Sequence, residues 1–162
     1  MSRDREALQA SALCAGLTAE ELEGLRGAAE VRTYAAGERI VAEDTPSDCL
    51  FILETGSVRV EKGSASGAPV VLAAFQEPGD FFGEMSLIDI LPRSADVRAQ
   101  EAVRLLAFPK RKLAEFFSRF PRVQMTLVLN IARSLSLRLR DADERIVELS
   151  RVLKTGARTH GA

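Results

Sequence analysis

Histidine is nearly missing from this chain of 162 residues: the only one is His160, in the C-terminal tail. A metal-dependent enzyme on a small β-barrel needs several imidazole ligands, so that class is excluded and no metal is expected. Two cysteines, Cys14 and Cys49, are too few for a disulfide framework or a four-ligand iron–sulfur centre. There is no tryptophan and no run of 18 apolar residues, so no membrane span is expected. The first residues, Met1-Ser2-Arg3-Asp4-Arg5-Glu6, lack the apolar stretch of a secretory signal. A cytoplasmic protein is the simplest reading.

What is present is an ordinary globular composition, 46% apolar and 28% charged, with its charge unevenly placed. Residues 1–108 carry 10 Lys/Arg against 18 Asp/Glu, while residues 109–154 carry 11 against 5. An acidic body that binds an anion must do so through local donors and not through its overall field. The basic C-terminal part interleaves its positive residues with acidic ones, which argues against a nucleic-acid surface.

Those local donors are concentrated in Phe82-Gly83-Glu84-Met85-Ser86-Leu87 and, after a short spacer, Pro92-Arg93-Ser94-Ala95. Gly83 has no Cβ, so it can turn left-handed and let a ligand approach the main chain. The residues after it can form one helical turn whose free N–H groups, those of Met85 and Ser86 among them, make an anion cradle. Arg93 offers a planar fork for two phosphate oxygens and Ser94 a hydroxyl beside it. Glu84 would repel a phosphate, but it can accept from sugar hydroxyls. A phosphate joined to a ribose describes a nucleotide.

Phe82 to Leu87 and Pro92 to Ala95, at this spacing, resemble the phosphate-binding cassette of cyclic nucleotide-binding domains. The resemblance implies that the cassette residues Phe82, Gly83, Glu84, Met85, Ser86, Arg93, Ser94 and Ala95 bind a cyclic nucleotide, cAMP or cGMP. Glu84 would then accept the ribose 2′-hydroxyl.

The flanking chain reads the same way. Residues 4–13 predict a short helix, and Thr18 with Glu21 forms a capping box that opens a second, ended by Gly27. From Val31 to Phe108 short apolar runs alternate with glycine turns at roughly ten-residue spacing, which predicts a β-sandwich or jelly-roll barrel. Cys49-Leu50-Phe51-Ile52-Leu53 is continuously apolar, as expected of a strand covered on both sides. The family's glycine-punctuated roll runs in the same order, with one departure: Asp44 stands where a glycine is common before the third strand. Aspartate tolerates the left-handed region better than most residues.

Pro109 to Phe120 predicts a helix with Leu113, Phe116, Phe117 and Phe120 on one face. From Pro121 to Lys154 no Gly or Pro interrupts the chain, giving roughly 50 Å of helix. Val128, Ile131, Leu135, Leu139, Ala142, Ile146, Leu149 and Leu153 form a narrow seam along it, a coiled-coil-like pattern that predicts a parallel homodimer. In the family this helix covers the base, and the resemblance places Ser134 and Arg138 near positions that reach the ligand.

The expected fold is therefore α+β: a jelly-roll barrel (double-stranded β-helix) with N-terminal helices and a long C-terminal dimerisation helix. Residues 1–120 form the ligand domain, 121–154 the long helix, and 155–162 a disordered tail. The expected function is non-catalytic: a cyclic nucleotide sensor that reports through its helix to dimer geometry or a protein effector. Family members of the catabolite-activator type carry a helix-turn-helix domain after this helix. Here the eight residues from Thr155 are too few for one, so DNA binding by this chain is not expected. Two alternatives stay open: the ligand-sensing half of a longer regulator of that type, or a dimerisation module for another ligand such as cyclic di-GMP.

Overall fold

The computed structural model describes residues 2–158. Helix α1 (Arg3–Ala10) is followed by a 3₁₀ turn, Ala12–Cys14, and by α2 (Ala19–Gly27). The capping box is formed as expected: Thr18 Oγ1 accepts from the Glu21 N–H at 3.2 Å, and Glu21 Oε2 accepts from the Thr18 N–H at 2.8 Å. Eight strands follow: β1 (Glu30–Tyr34), β2 (Arg39–Val41), β3 (Cys49–Thr55), β4 (Val58–Lys62), β5 (Val70–Phe75), β6 (Phe81–Phe82), β7 (Asp96–Ala99) and β8 (Val103–Pro109). A 3₁₀ turn, Glu84–Leu87, follows β6, and α3 (Lys110–Arg119) and α4 (Pro121–Arg158) complete the chain.

The strands form two antiparallel sheets, ordered β1-β8-β3-β6 and β2-β7-β4-β5. Apart from the β4–β5 hairpin, successive strands alternate between the sheets, so the chain rolls around one core as a jelly roll. That core draws Cys49, Phe51, Leu53, Leu105 and Ala107 from one sheet and Val41, Val58, Val97 and Ala99 from the other. The opposite faces of β3 and β8 bury Leu50, Ile52, Leu106 and Phe108, where α1 packs on β3 and α3 on β8. This two-sided burial is why residues 49–53 read as an uninterrupted apolar run. Gly37, Gly56, Gly79 and Gly83 all have positive φ, and among the described residues Asp44 is the one non-glycine that does, at φ 61°.

The chain divides into two compact units, one through Asn130 and one from Ile131 onward. The first unit thus takes in ten residues beyond the boundary at 120 read from the sequence. Val123 and Leu127 are fully buried, and the Asn130 amide donates to the carbonyls of Leu13 at 2.8 Å and Ala15 at 2.9 Å. Helix α4 also runs past Lys154 to Arg158, with the Thr155 hydroxyl donating to the Arg151 carbonyl at 2.9 Å. A glycine near a helix end costs little, so Gly156 does not stop it. Of the tail read as disordered, residues 159–162 lie outside the described residues. Among the described residues no helix is long and apolar enough to cross a membrane.

A charged cluster ties the N-terminal helices to the roll. Glu54, on β3 and 4% exposed, is ion-paired with Arg104 of β8. Asp4 of α1 lies 3.4 Å from both Arg104 and Arg26. Burial, together with the hydrogen bond that protonated Glu54 donates to the Asp4 carboxylate, pushes the Glu54 carboxyl up to about 6 from 4.5, whereas Asp4 is held below its ordinary value. The folded state therefore holds more protons than the unfolded one between 4.5 and about 6, and stability falls as pH rises through that window. Asp4 acts only below its ordinary 3.8. Denaturant midpoints should give the wild type about 2 kcal/mol more stability from this group at pH 4.5 than at neutrality. Glu54→Gln should flatten that slope; an unchanged pH profile would remove Glu54 as its source.

Candidate functional site

The loop between β6 and β7 is built around Gly83, which adopts φ 76° and ψ 13° and caps the 3₁₀ turn Glu84–Leu87. A Cβ at this position would lie 2.7 Å from Arg93 Nη1 and 2.7 Å from the Cys49 carbonyl oxygen. Glycine is thus required twice, by the left-handed backbone and by the approach of the guanidinium. Phe82 anchors the turn from inside the roll, its ring stacked on Phe51 at 5.1 Å and on Phe75 at 6.1 Å.

Arg93 is 8% exposed, so its guanidinium faces the interior of the loop and not bulk solvent. Its Nη2 donates to the Cys49 carbonyl at 2.7 Å, and Asp48 lies 3.8 Å away. Burial lowers the Arg93 pKa from its ordinary value, with the charges of Asp48 and Glu84 acting in the opposite sense. The backbone is fixed as well. The Arg93 N–H donates to the Thr45 carbonyl at 2.8 Å, and the Asp44 N–H donates to the Arg93 carbonyl at 2.9 Å. The left-handed bend at Asp44 turns that amide toward Arg93, so the residue standing in place of a glycine belongs to the support of the site.

Glu84 is 4% exposed, and Ser86 is fully buried with a hydroxyl that has no partner in the protein. Leaving a buried hydroxyl unpaired costs about 1–3 kcal/mol, which a polar ligand would relieve. The Ser86 N–H closes the turn on the Gly83 carbonyl at 3.2 Å. That is the long end of the hydrogen-bond range, so an incoming oxygen would compete with a weak bond and not meet a free amide. Met85 and Ser94 are exposed and Ala95 is buried, with the Ser94 carbonyl accepting from Lys62 Nζ at 3.1 Å.

The structure thus brings Phe82, Gly83, Glu84, Met85, Ser86, Arg93, Ser94 and Ala95 into one loop system. Ser134 and Arg138 lie four residues apart on α4, in the second unit. Missed by sequence reasoning were Asp48, just before β3, and the main chain of Cys49 at its start, which hold Arg93 of the loop between β6 and β7. A polar residue just before an apolar run was the only signal. Among the described residues no group of three or more His, Cys, Asp or Glu is placed to hold a metal ion.

Comparison with known proteins sets this geometry in context. A family model described as cyclic nucleotide-binding domain matches residues 31–120. Glutaminase 2 of Bradyrhizobium diazoefficiens is 33% identical over 139 residues, covering 86% of this chain and 21% of the glutaminase. The cyclic AMP receptor protein of Thermus thermophilus is 33% identical over 136 residues, covering 84% of this chain and 61% of the receptor. The chain therefore spans about a fifth of the one relative and under two thirds of the other. Among solved structures, the N-terminal domain of a transcriptional regulator from Streptomyces coelicolor A3(2) superposes with a TM-score of 0.72. It is 31% identical, and the match covers 86% of this chain and 94% of that one.

Gly83→Ala tests the cradle without reference to any ligand. It should lower stability by about 1–2 kcal/mol, the cost of a side chain in the left-handed region, and displace the Arg93 guanidinium. Urea unfolding and a crystal structure of the variant are the measurements; full stability with Arg93 in place would contradict the packing described.

Proposed function

The chain belongs to the cyclic nucleotide-binding domain family, and from that premise we propose that it is a non-catalytic sensor of a purine cyclic nucleotide, cAMP ahead of cGMP. The observation that carries the reading is Arg93, buried, oriented by the Cys49 carbonyl and packed against left-handed Gly83. Arg93 neutralises the cyclic phosphate through its fork, and the Met85 and Ser86 amides with Ser94 complete the grip. Glu84 accepts the ribose 2′-hydroxyl, a group absent from deoxy analogues. By the family resemblance Ser134 and Arg138 are the α4 residues offered to the ligand, the Arg138 guanidinium for a purine face or for a carboxylate of a second copy. A cytoplasmic location goes with this reading.

The relatives support a regulatory module. A segment that aligns with a fifth of a glutaminase and with most of this chain also aligns with a cyclic AMP receptor. A stretch common to two proteins so named suits a regulatory ligand-binding part and not glutaminase chemistry. The same span also suits the ligand-sensing part of a longer catabolite-activator-type regulator.

Output runs through α4 to dimer geometry or a protein effector. Supporting this, the seam residues Leu139, Ile146, Leu149 and Leu153 are all more than 60% exposed in the isolated chain. An apolar stripe of that length on one helix favours a second helix against it. Sedimentation should therefore show a dimer that Leu139→Asp/Ile146→Asp converts to monomer; a monomeric wild type would refute the seam's role.

Ligand binding is tested by a thermal-shift panel with cAMP, cGMP and cyclic di-GMP, since a ligand specific for the folded state raises the melting temperature. Stabilisation by cAMP is expected. By calorimetry, Arg93→Ala should then cost at least ~2 kcal/mol of affinity, about 30-fold. Unchanged binding in that variant would remove Arg93 from the site.

A further inference from the structure

A cavity of about 270 Å³ opens beside Arg93 and is lined by Arg32, Arg39, Arg93, Asp48 and Phe51 together with Ile40 of β2 and part of the β2–β3 connection. It shares Arg93 with the cradle, but Gly83, Glu84, Ser86 and Ser94 are not in its wall. Three arginines and one acid, Asp48, line it in a segment where acids outnumber bases by 18 to 10, and Glu30 and Asp96 pair with two of those arginines from outside the wall. Chance dispersal of ten bases over residues 1–108 does not favour such a hollow, and mutual repulsion opposes it.

Each guanidinium is positioned from its own strand or loop. Arg32 comes from β1, with its Cζ 6.0 Å from the centre of the Phe51 ring. Its carboxylate partner is Glu30 at 3.0 Å, and Arg39 of β2 meets Asp96 at 3.6 Å. These side chains are 38% and 52% exposed, and exposed ion pairs of this kind contribute little, so both forks can turn to an incoming anion. Arg93 is already fixed by the Cys49 carbonyl. The volume lies below the roughly 300–1,000 Å³ typical of sites for drug-sized ligands, which suits a phosphate group or two and not a whole nucleotide.

We propose that this cavity is a second anion site, taking a small multivalent phosphate such as pyrophosphate, and that its occupant weakens cyclic-nucleotide binding by drawing on the same Arg93. The site itself stands on the cavity; the coupling rests on the function proposed above. One guanidinium cannot satisfy two phosphates fully, so each ligand lowers the affinity of the other by the same factor.

The test is calorimetric titration of the full chain with pyrophosphate at fixed ionic strength. Binding is expected in the wild type, at least ten-fold weaker in Arg32→Ala/Arg39→Ala. Arg39→Gln, at a half-exposed side chain that leaves the fold intact, should give an intermediate loss. In cAMP titrations, pyrophosphate should raise the apparent Kd several-fold in the wild type and leave that of the double variant unchanged. Absence of pyrophosphate binding overturns the site. An equal pyrophosphate effect in the double variant means that the anion enters the cradle directly, and this also overturns it. Should no cyclic nucleotide bind, the direct pyrophosphate titration still decides the site, and only the sensor reading fails.

Discussion

A buried guanidinium is the constraint around which this molecule is arranged. Removing such a charge from water costs several kcal/mol unless hydrogen bonds and counter-charges replace the solvent. Here the replacements come from distant parts of the chain: the Cys49 carbonyl at the start of β3, Asp48 just before it, and Glu84 across the loop. The backbone of Arg93 is clamped between Asp44 and Thr45. None of these partners is within eight residues of Arg93 in sequence, so the site exists only once the roll has closed.

This explains why the most heavily packed strand is the one that holds the arginine. β3 is buried on both faces, by the core between the sheets on one side and by the helices on the other. A carbonyl at the end of so fixed a strand is a precise acceptor. The loop it faces has a different character: Ile88, Ile90 and Leu91, between the turn and Arg93, are 48%, 93% and 64% exposed. For the sensor proposed above, a rigid acceptor beside a loosely packed cassette would suit reporting of occupancy, because segments that move are drawn from those with few buried contacts.

Much of this was legible in the sequence because the relevant signals are local. Thr18 and Glu21 sit three apart, the 49–53 run is contiguous, and the bend at Asp44 needs only a residue that tolerates positive φ. Gly83 and Arg93 were readable from the spacing of the cassette. Asp48 and the Cys49 carbonyl were not, because their partnership with Arg93 is set by how β3 meets the loop after β6. Nor was the extent of the first unit, since Asn130 bonds to carbonyls more than a hundred residues away. The Ser86 amide was read as free, yet the turn tightened into 3₁₀ geometry and engaged it. That Arg32, Arg39 and Arg93 line one cavity is likewise a product of the roll.

The charge distribution and the site are two parts of one discrimination. The first 108 residues carry eight more acids than bases, 18 against 10, so their long-range field repels anions. A phosphate is held only where fixed donors outweigh that field within a few ångströms, inside the Debye length of about 8–10 Å at physiological salt. A single buried fork beside a tight turn meets that condition for a ligand that also satisfies Glu84. At the turn of the proposed cradle, as distinct from the neighbouring cavity, a bare anion would meet Glu84 and be repelled. On the function proposed above, selectivity for a sugar-linked phosphate would follow from placing one acid next to one arginine in an acidic body, with no need for a large basic surface.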